Sequence, residues 1–88
     1  MRKLVTNGGA TDTAIKSIKD QLEIRLEEKG CHTFTSSHEV SGIMDEEFDE
    51  MKEAVHRNDN EHLRKELVDI AVAAIWGIVS IDEDGLDW

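Results

Sequence analysis

From Leu67 to Ile81 the chain is an apolar run that one charge, Asp69, interrupts. A bilayer span needs about 20 such residues, and this run has only 15. It therefore reads as a buried core helix. Beyond Asp69 the helix is apolar nearly all round, with Val68, Val72, Ile75, Ile78 and Val79 on faces away from Glu66. Such a helix needs neighbours on most sides. Eighty-eight residues supply one domain, and a core of that size is marginal alone. The expectation is an all-α, compact helical bundle whose core is completed by oligomerisation, as a homodimer or homotetramer.

Composition narrows the class further. There is no proline, and Glu, Lys, Leu, Ile and Ala dominate, which favours helices over strands. The net charge of −10 argues against non-specific nucleic-acid binding, which needs a basic surface. A bound metal ion can still invert the local field for an anionic substrate. Cys31 is alone, so no intramolecular disulfide framework exists, in keeping with a reducing, cytoplasmic setting. The N-terminus does not read as a signal peptide, and no membrane partner is expected.

Three helical segments follow from periodicity. Residues 1–11, with Asn7-Gly8-Gly9, read as a flexible lead. Residues 12–81 form the single helical domain, and 82–88 an acidic, loose tail. The first helix is expected from about Asp12 to Lys29, with Thr11 or Asp12 as N-cap and Gly30 closing it. Its stripe is Ala14, Ile15, Ile18, Leu22 and Leu26. Residues 30–37 form a loop ending in Ser36-x-x-Glu39, a capping-box start for a second helix to about Arg57. Asn58-Asp59-Asn60 breaks that pattern and caps a third helix, from about Glu61 to Ser80.

Carboxylates sit in two of these stripes. At about 100° per residue with Glu47 at zero, Val40, Ile43, Met44, Phe48, Met51, Ala54 and Val55 fall between about −40° and +100°. Glu47 lies inside the stripe, Glu50 flanks it near −60°, and Glu46 lies near −100°. On the third helix Glu66 lies among Leu63, Ile70, Ala73, Ala74 and Gly77, with Asp69 near −60°. A charge in an apolar stripe is costly unless a cation meets it. Spacing i, i+3 puts two carboxylates on one helical face, and two antiparallel helices bring such pairs together. Glu47, Glu50, Glu66 and Asp69 then read as ligands of one or two hard cations, Mg2+ with Mn2+ as the alternative.

The order Glu46-Glu47-Phe48-Asp49-Glu50, fifteen residues, then Glu66-Leu67-Val68-Asp69 resembles the signature of the MazG-like all-α nucleoside triphosphate pyrophosphatases. The resemblance spans about residues 12–81. It implies Mg-dependent hydrolysis of a (d)NTP to (d)NMP and pyrophosphate, in nucleotide-pool house-cleaning by an oligomer. It assigns Glu47, Glu50, Glu66 and Asp69 to the metal and Glu46 to an outer position or to the base for the attacking water.

Three further residues have two readings each. His38 opens the second helix and either donates to substrate or is simply exposed. Lys65, beside Glu66, either meets phosphates or is solvated. Trp76 either stacks on a base or belongs to a core or interface. His32, His56 and His62 read as surface residues, and Glu53-x-x-His56 points away from the apolar stripe, which argues against a di-iron site. The rival to the enzyme is a non-enzymatic helical interaction module, or an inactive member of the same fold.

Overall fold

A computed structural model describes residues 3, 8–30, 33–83 and 85–88. It contains three α-helices: α1 (Gly9–Lys29), α2 (Ser37–His56) and α3 (Asn60–Asp82). Among the described residues there is no β-strand, only one isolated bridge. Nor, among those residues, is any helix long and apolar enough to cross a membrane.

The caps explain where two helices start. The Ser36 side chain accepts from the Glu39 N–H at 3.1 Å. The Glu39 carboxylate turns to the Thr35 hydroxyl, at 3.2 Å, so the capping box is half closed. Asp59 caps α3 by accepting from His62 N–H at 3.0 Å. Asn58 before it has φ of 54°, a left-handed turn position that asparagine tolerates. Gly30 ends α1 with φ of 79° and its N–H on the Leu26 carbonyl, as its place in the sequence suggests.

The first helix starts earlier than expected, at Gly9 rather than Asp12. Its N-cap is Gly8, with no capping side chain, and Asp12 lies in the first turn. There the acidic side chain complements the helix dipole instead of capping.

Helix α3 is the centre of the fold. It packs against both α1 and α2, which do not pack on one another. Ser17 meets Arg64 and Arg25 meets Asp69, so α1 runs parallel to α3. Ala14 and Ile15 are exposed although they continue the α1 stripe. Helix α2 returns antiparallel. At Gly77 a Cβ would lie 3.5 Å from Val40 Cγ1, which marks the close approach of α2 and α3.

The tail is tied down, against the expectation of a loose end. Asp87 N–H donates to the Thr35 carbonyl at 2.8 Å, and Ser37 N–H to the Asp87 carbonyl at 3.0 Å, a parallel bridge. Gly85 N–H donates to the Ser80 carbonyl, and a Cβ at Gly85 would sit 2.6 Å from Thr33 Oγ1. Fully buried Ser80 joins the same assembly: its hydroxyl accepts from Phe34 N–H at 2.9 Å and donates to the Trp76 carbonyl at 2.8 Å. This anchors the 33–36 segment over the C-terminal half of α3.

The core is small. Among the described residues the buried apolar side chains are Ala54, Val72 and Ala73. The radius of gyration, 14.7 Å, exceeds the ~12 Å typical of a compact chain this long.

Ser80→Ala leaves the Phe34 N–H without its acceptor. The expected cost is about 1–2 kcal/mol. For a domain this small, a thermal melt followed by circular dichroism should then show a midpoint lower by roughly 4–8 °C per kcal/mol.

Candidate metal centre

The α2–α3 junction brings three carboxylates together. Glu47, Glu66 and Asp69 each place an oxygen within 4.8 Å of the others. Glu66 and Asp69 are buried, at 5% and 9% exposure, and Glu47 is half-buried. The antiparallel pairing sets the α2 stripe against the α3 stripe, so the in-stripe carboxylates Glu47 and Glu66 meet. Asp69, three residues beyond Glu66, sits on the adjoining face of α3.

The polar accounting at this junction does not close. Glu47 Oε2 and Glu66 Oε2 are buried with no hydrogen-bond partner. Ionised carboxylates only accept, so two facing each other need a shared proton or a cation. Two side chains come near, one a guanidinium and one an imidazole. Arg25 of α1 reaches Asp69 Oδ1 at 3.6 Å, and His62 Nε2 lies 3.2 Å from Glu66 Oε1. Neither reaches the two orphaned oxygens.

The protonation equilibria register the crowding. Burial, then the charges of Asp69 and Glu50 and the adjoining Glu66, push the Glu47 carboxyl up to about 7. Glu50 is also raised, chiefly by the Glu66 carboxylate beside it. Glu50 itself is exposed and stands beside the close group rather than within it.

A cleft of about 370 Å³ opens at this group. Its floor is α3, with Asp69, Val72, Ala73 and Trp76. One wall is α2, through Glu39, Ile43, Glu46 and Glu47; the other is α1, through Arg25 and Lys29. Thr33 and Phe34 also line it, Phe34 tilted against Trp76 with ring centroids 6.1 Å apart. The cleft thus has an acidic wall facing a basic one, with an aromatic pair along its lining.

The remaining sequence candidates are dispersed. Glu46 is exposed on the cleft wall beside Glu47. Trp76 is half-buried in the floor. Lys65 is exposed and lines a second cleft on the α1 side, with Ser17, Arg64 and Asp69. His38 is exposed in the first turn of α2 and lines neither cleft. Cys31 and His32 lie outside the described residues.

His62 is not a free surface residue as its sequence context suggested, because it is half-buried against Glu66. The spacing His62-x-x-x-Glu66 was the available signal, since i and i+4 share a helical face. Arg25 and Lys29 had no such signal: they reach the site only through the packing of α1 on α3.

The donor set fits a hard divalent cation. Three formal negative charges against the one on Arg25 leave two, which a divalent ion matches, and all-oxygen ligation suits Mg2+ or Mn2+. Comparison with family models, with curated proteins and with solved structures returned no match.

A pH dependence of stability follows from Glu47. The unfolded chain releases this proton near 4.5 and the folded protein near 7. Between those values the folded state binds more protons, so stability falls as pH rises. The contribution is complete below about pH 4.5 and lost as pH passes about 7. Its size is on the order of 1–2 kcal/mol after allowing for solvent screening at this half-buried group. Metal-free melts across that range should show the decline, and Mg2+ or Mn2+ should reverse it above pH 7. Glu66→Gln should lessen the decline and remove the metal effect.

Proposed function

We propose that the protein is a metal-dependent nucleoside triphosphate pyrophosphohydrolase that converts a (d)NTP to (d)NMP and pyrophosphate. The observation that carries this reading is the group Glu47, Glu66 and Asp69, with two buried oxygens lacking any donor, beside a cleft that Arg25, Lys29, Phe34 and Trp76 also line. The order of acidic motifs, which resembles the MazG-like enzymes, adds the reaction class.

Glu47, Glu66 and Asp69 would hold the ion, with Glu50 beside them. A bound Mg2+ or Mn2+ supplies Lewis-acid polarisation of the phosphoryl oxygens and a lowered pKa of bound water. The chain's own groups do the rest. Arg25 and Lys29 line the same cleft and would attract the polyphosphate, offsetting the repulsion that a net charge of −10 imposes. Glu46, exposed beside Glu47, would take a proton from the attacking water. The Phe34–Trp76 pair offers a flat apolar surface for a nucleobase. His38 and Lys65 have no part in this cleft.

The contacts of Arg25 with Asp69 and His62 with Glu66 favour a second reading. In it these side chains neutralise the cluster internally, and the protein is a non-enzymatic helical interaction module. One experiment separates the two. Natural and modified nucleoside triphosphates are incubated with Mg2+ or Mn2+, and pyrophosphate release is measured. At least one should be cleaved, with Glu47→Gln slowing turnover by about 100-fold or more, a loss of at least ~3 kcal/mol of transition-state stabilisation. No cleavage above the Glu47→Gln background would leave the interaction module as the reading.

A further inference from the structure

Glu39 lines the same cleft as the carboxylate group, and the metal reading gives it nothing to do. The register of α2 on α3 fixes its level. A Cβ at Gly77 would lie 3.5 Å from Val40, so the residues just before these two, Trp76 and Glu39, stand at one level of the antiparallel pair. On α2, Glu39 is eight residues before Glu47, about 12 Å along the axis. On α3, Trp76 is seven residues after Asp69, about 10 Å along the axis. Because the helices are antiparallel, both separations run in the same direction. The metal group thus occupies one end of the cleft, and Glu39, with the Phe34–Trp76 pair, the other. That separation suits the reach from a nucleotide's phosphates across its ribose to its base. Glu39 also departs from the capping role its position suggests. Its Oε2 accepts from the Thr35 hydroxyl at 3.2 Å. The tether limits the freedom the side chain would lose on binding. Oε1 and the second lone pair of Oε2 remain to accept from a ligand.

We propose that Glu39 selects the base and that the substrate is a guanine nucleotide. This rests on the nucleotide reading above and names the substrate within it. A carboxylate only accepts hydrogen bonds, so it favours an edge with two adjacent N–H donors. Among the common bases guanine has that edge, with its ring N1–H beside the 2-amino group. Adenine and cytosine set a ring-nitrogen acceptor beside their amino group, and that lone pair would face a carboxylate oxygen. Uracil and thymine flank their one N–H with two carbonyls. Hypoxanthine keeps N1–H but has no amino group beside it. A guanine laid against the Phe34–Trp76 pair turns this edge to Glu39, and its ribose and phosphates lead back to Glu47, Glu66 and Asp69. Stacking on aromatic side chains combined with hydrogen bonds to the Watson–Crick edge is a general way in which proteins select a base.

The test uses the full chain with Mg2+ and has two readouts. In the first, kcat/KM for GTP should exceed that for ITP by about tenfold or more, since the two differ only in the 2-amino group. Glu39→Gln offers one acceptor oxygen in place of two. It should bring the GTP-to-ITP ratio close to one, chiefly by raising KM for GTP. Damage to the fold alone would lower both substrates together and keep the ratio. The second readout does not depend on turnover. Trp76 and Trp88 are the two tryptophans, so Trp88→Phe leaves the fluorescence to Trp76. Quenching in that protein should show GMP binding about tenfold tighter than IMP, and adding Glu39→Gln should erase the difference. A GTP-to-ITP ratio near one, or one that survives Glu39→Gln, overturns the base selection and leaves the pyrophosphohydrolase reading standing. If no triphosphate is cleaved, that reading falls. A GMP preference that needs Glu39 then still supports the base selection, and equal binding of GMP and IMP, or none, overturns it too.

Discussion

The α2–α3 junction brings Glu47, Glu66 and Asp69 together in a place where carboxylates should not be. Everything around them reads as a response to that crowding. Arg25 comes from α1 to Asp69, His62 comes from one turn back to Glu66, and Glu47 holds its proton to about pH 7. Two oxygens remain without any donor. Burying unpaired acceptors is costly, and an arrangement that leaves them so is expected to bind something that satisfies them. The junction is thus poorly suited to stability and well suited to a cation.

Much of this could be read from the chain, for a definite reason. Periodicity fixes the face on which a side chain lies, and two in-stripe carboxylates on consecutive helices must meet if those helices pack stripe to stripe. Glu47, Glu66 and Asp69 came together on that logic. Periodicity does not fix how far a flanking residue turns outward, and Glu50, equally plausible on the wheel, is exposed. Lys65 is next to Glu66 in the chain, but it lines a different cleft on the α1 side of α3, with Ser17, Arg64 and Asp69. Arg25 and Lys29 could not be found, because only the packing of α1 brings them near. The C-terminal tail was misjudged for a related reason: backbone hydrogen bonds from Asp87 and Gly85 hold it, and side-chain pattern carries no record of those.

Helix α3 gives one side to the carboxylate cleft and leaves Leu67, Ile78 and Ile81 exposed on another. Its near-continuous apolar character, which at first demanded only burial, is thus divided between a contact with α2, a contact with α1 and a face left bare.

The central claim is that Glu47, Glu66 and Asp69 form a divalent-cation site, and direct counting of bound Mn2+ by electron paramagnetic resonance tests it most directly. Above pH 7, where Glu47 is ionised, titration of the chain with Mn2+ should show at least one ion per chain leaving the free pool. Mg2+ should displace it, and Glu66→Gln should abolish the binding. Free Mn2+ that rises in step with every addition, or binding unchanged in Glu66→Gln, would contradict it.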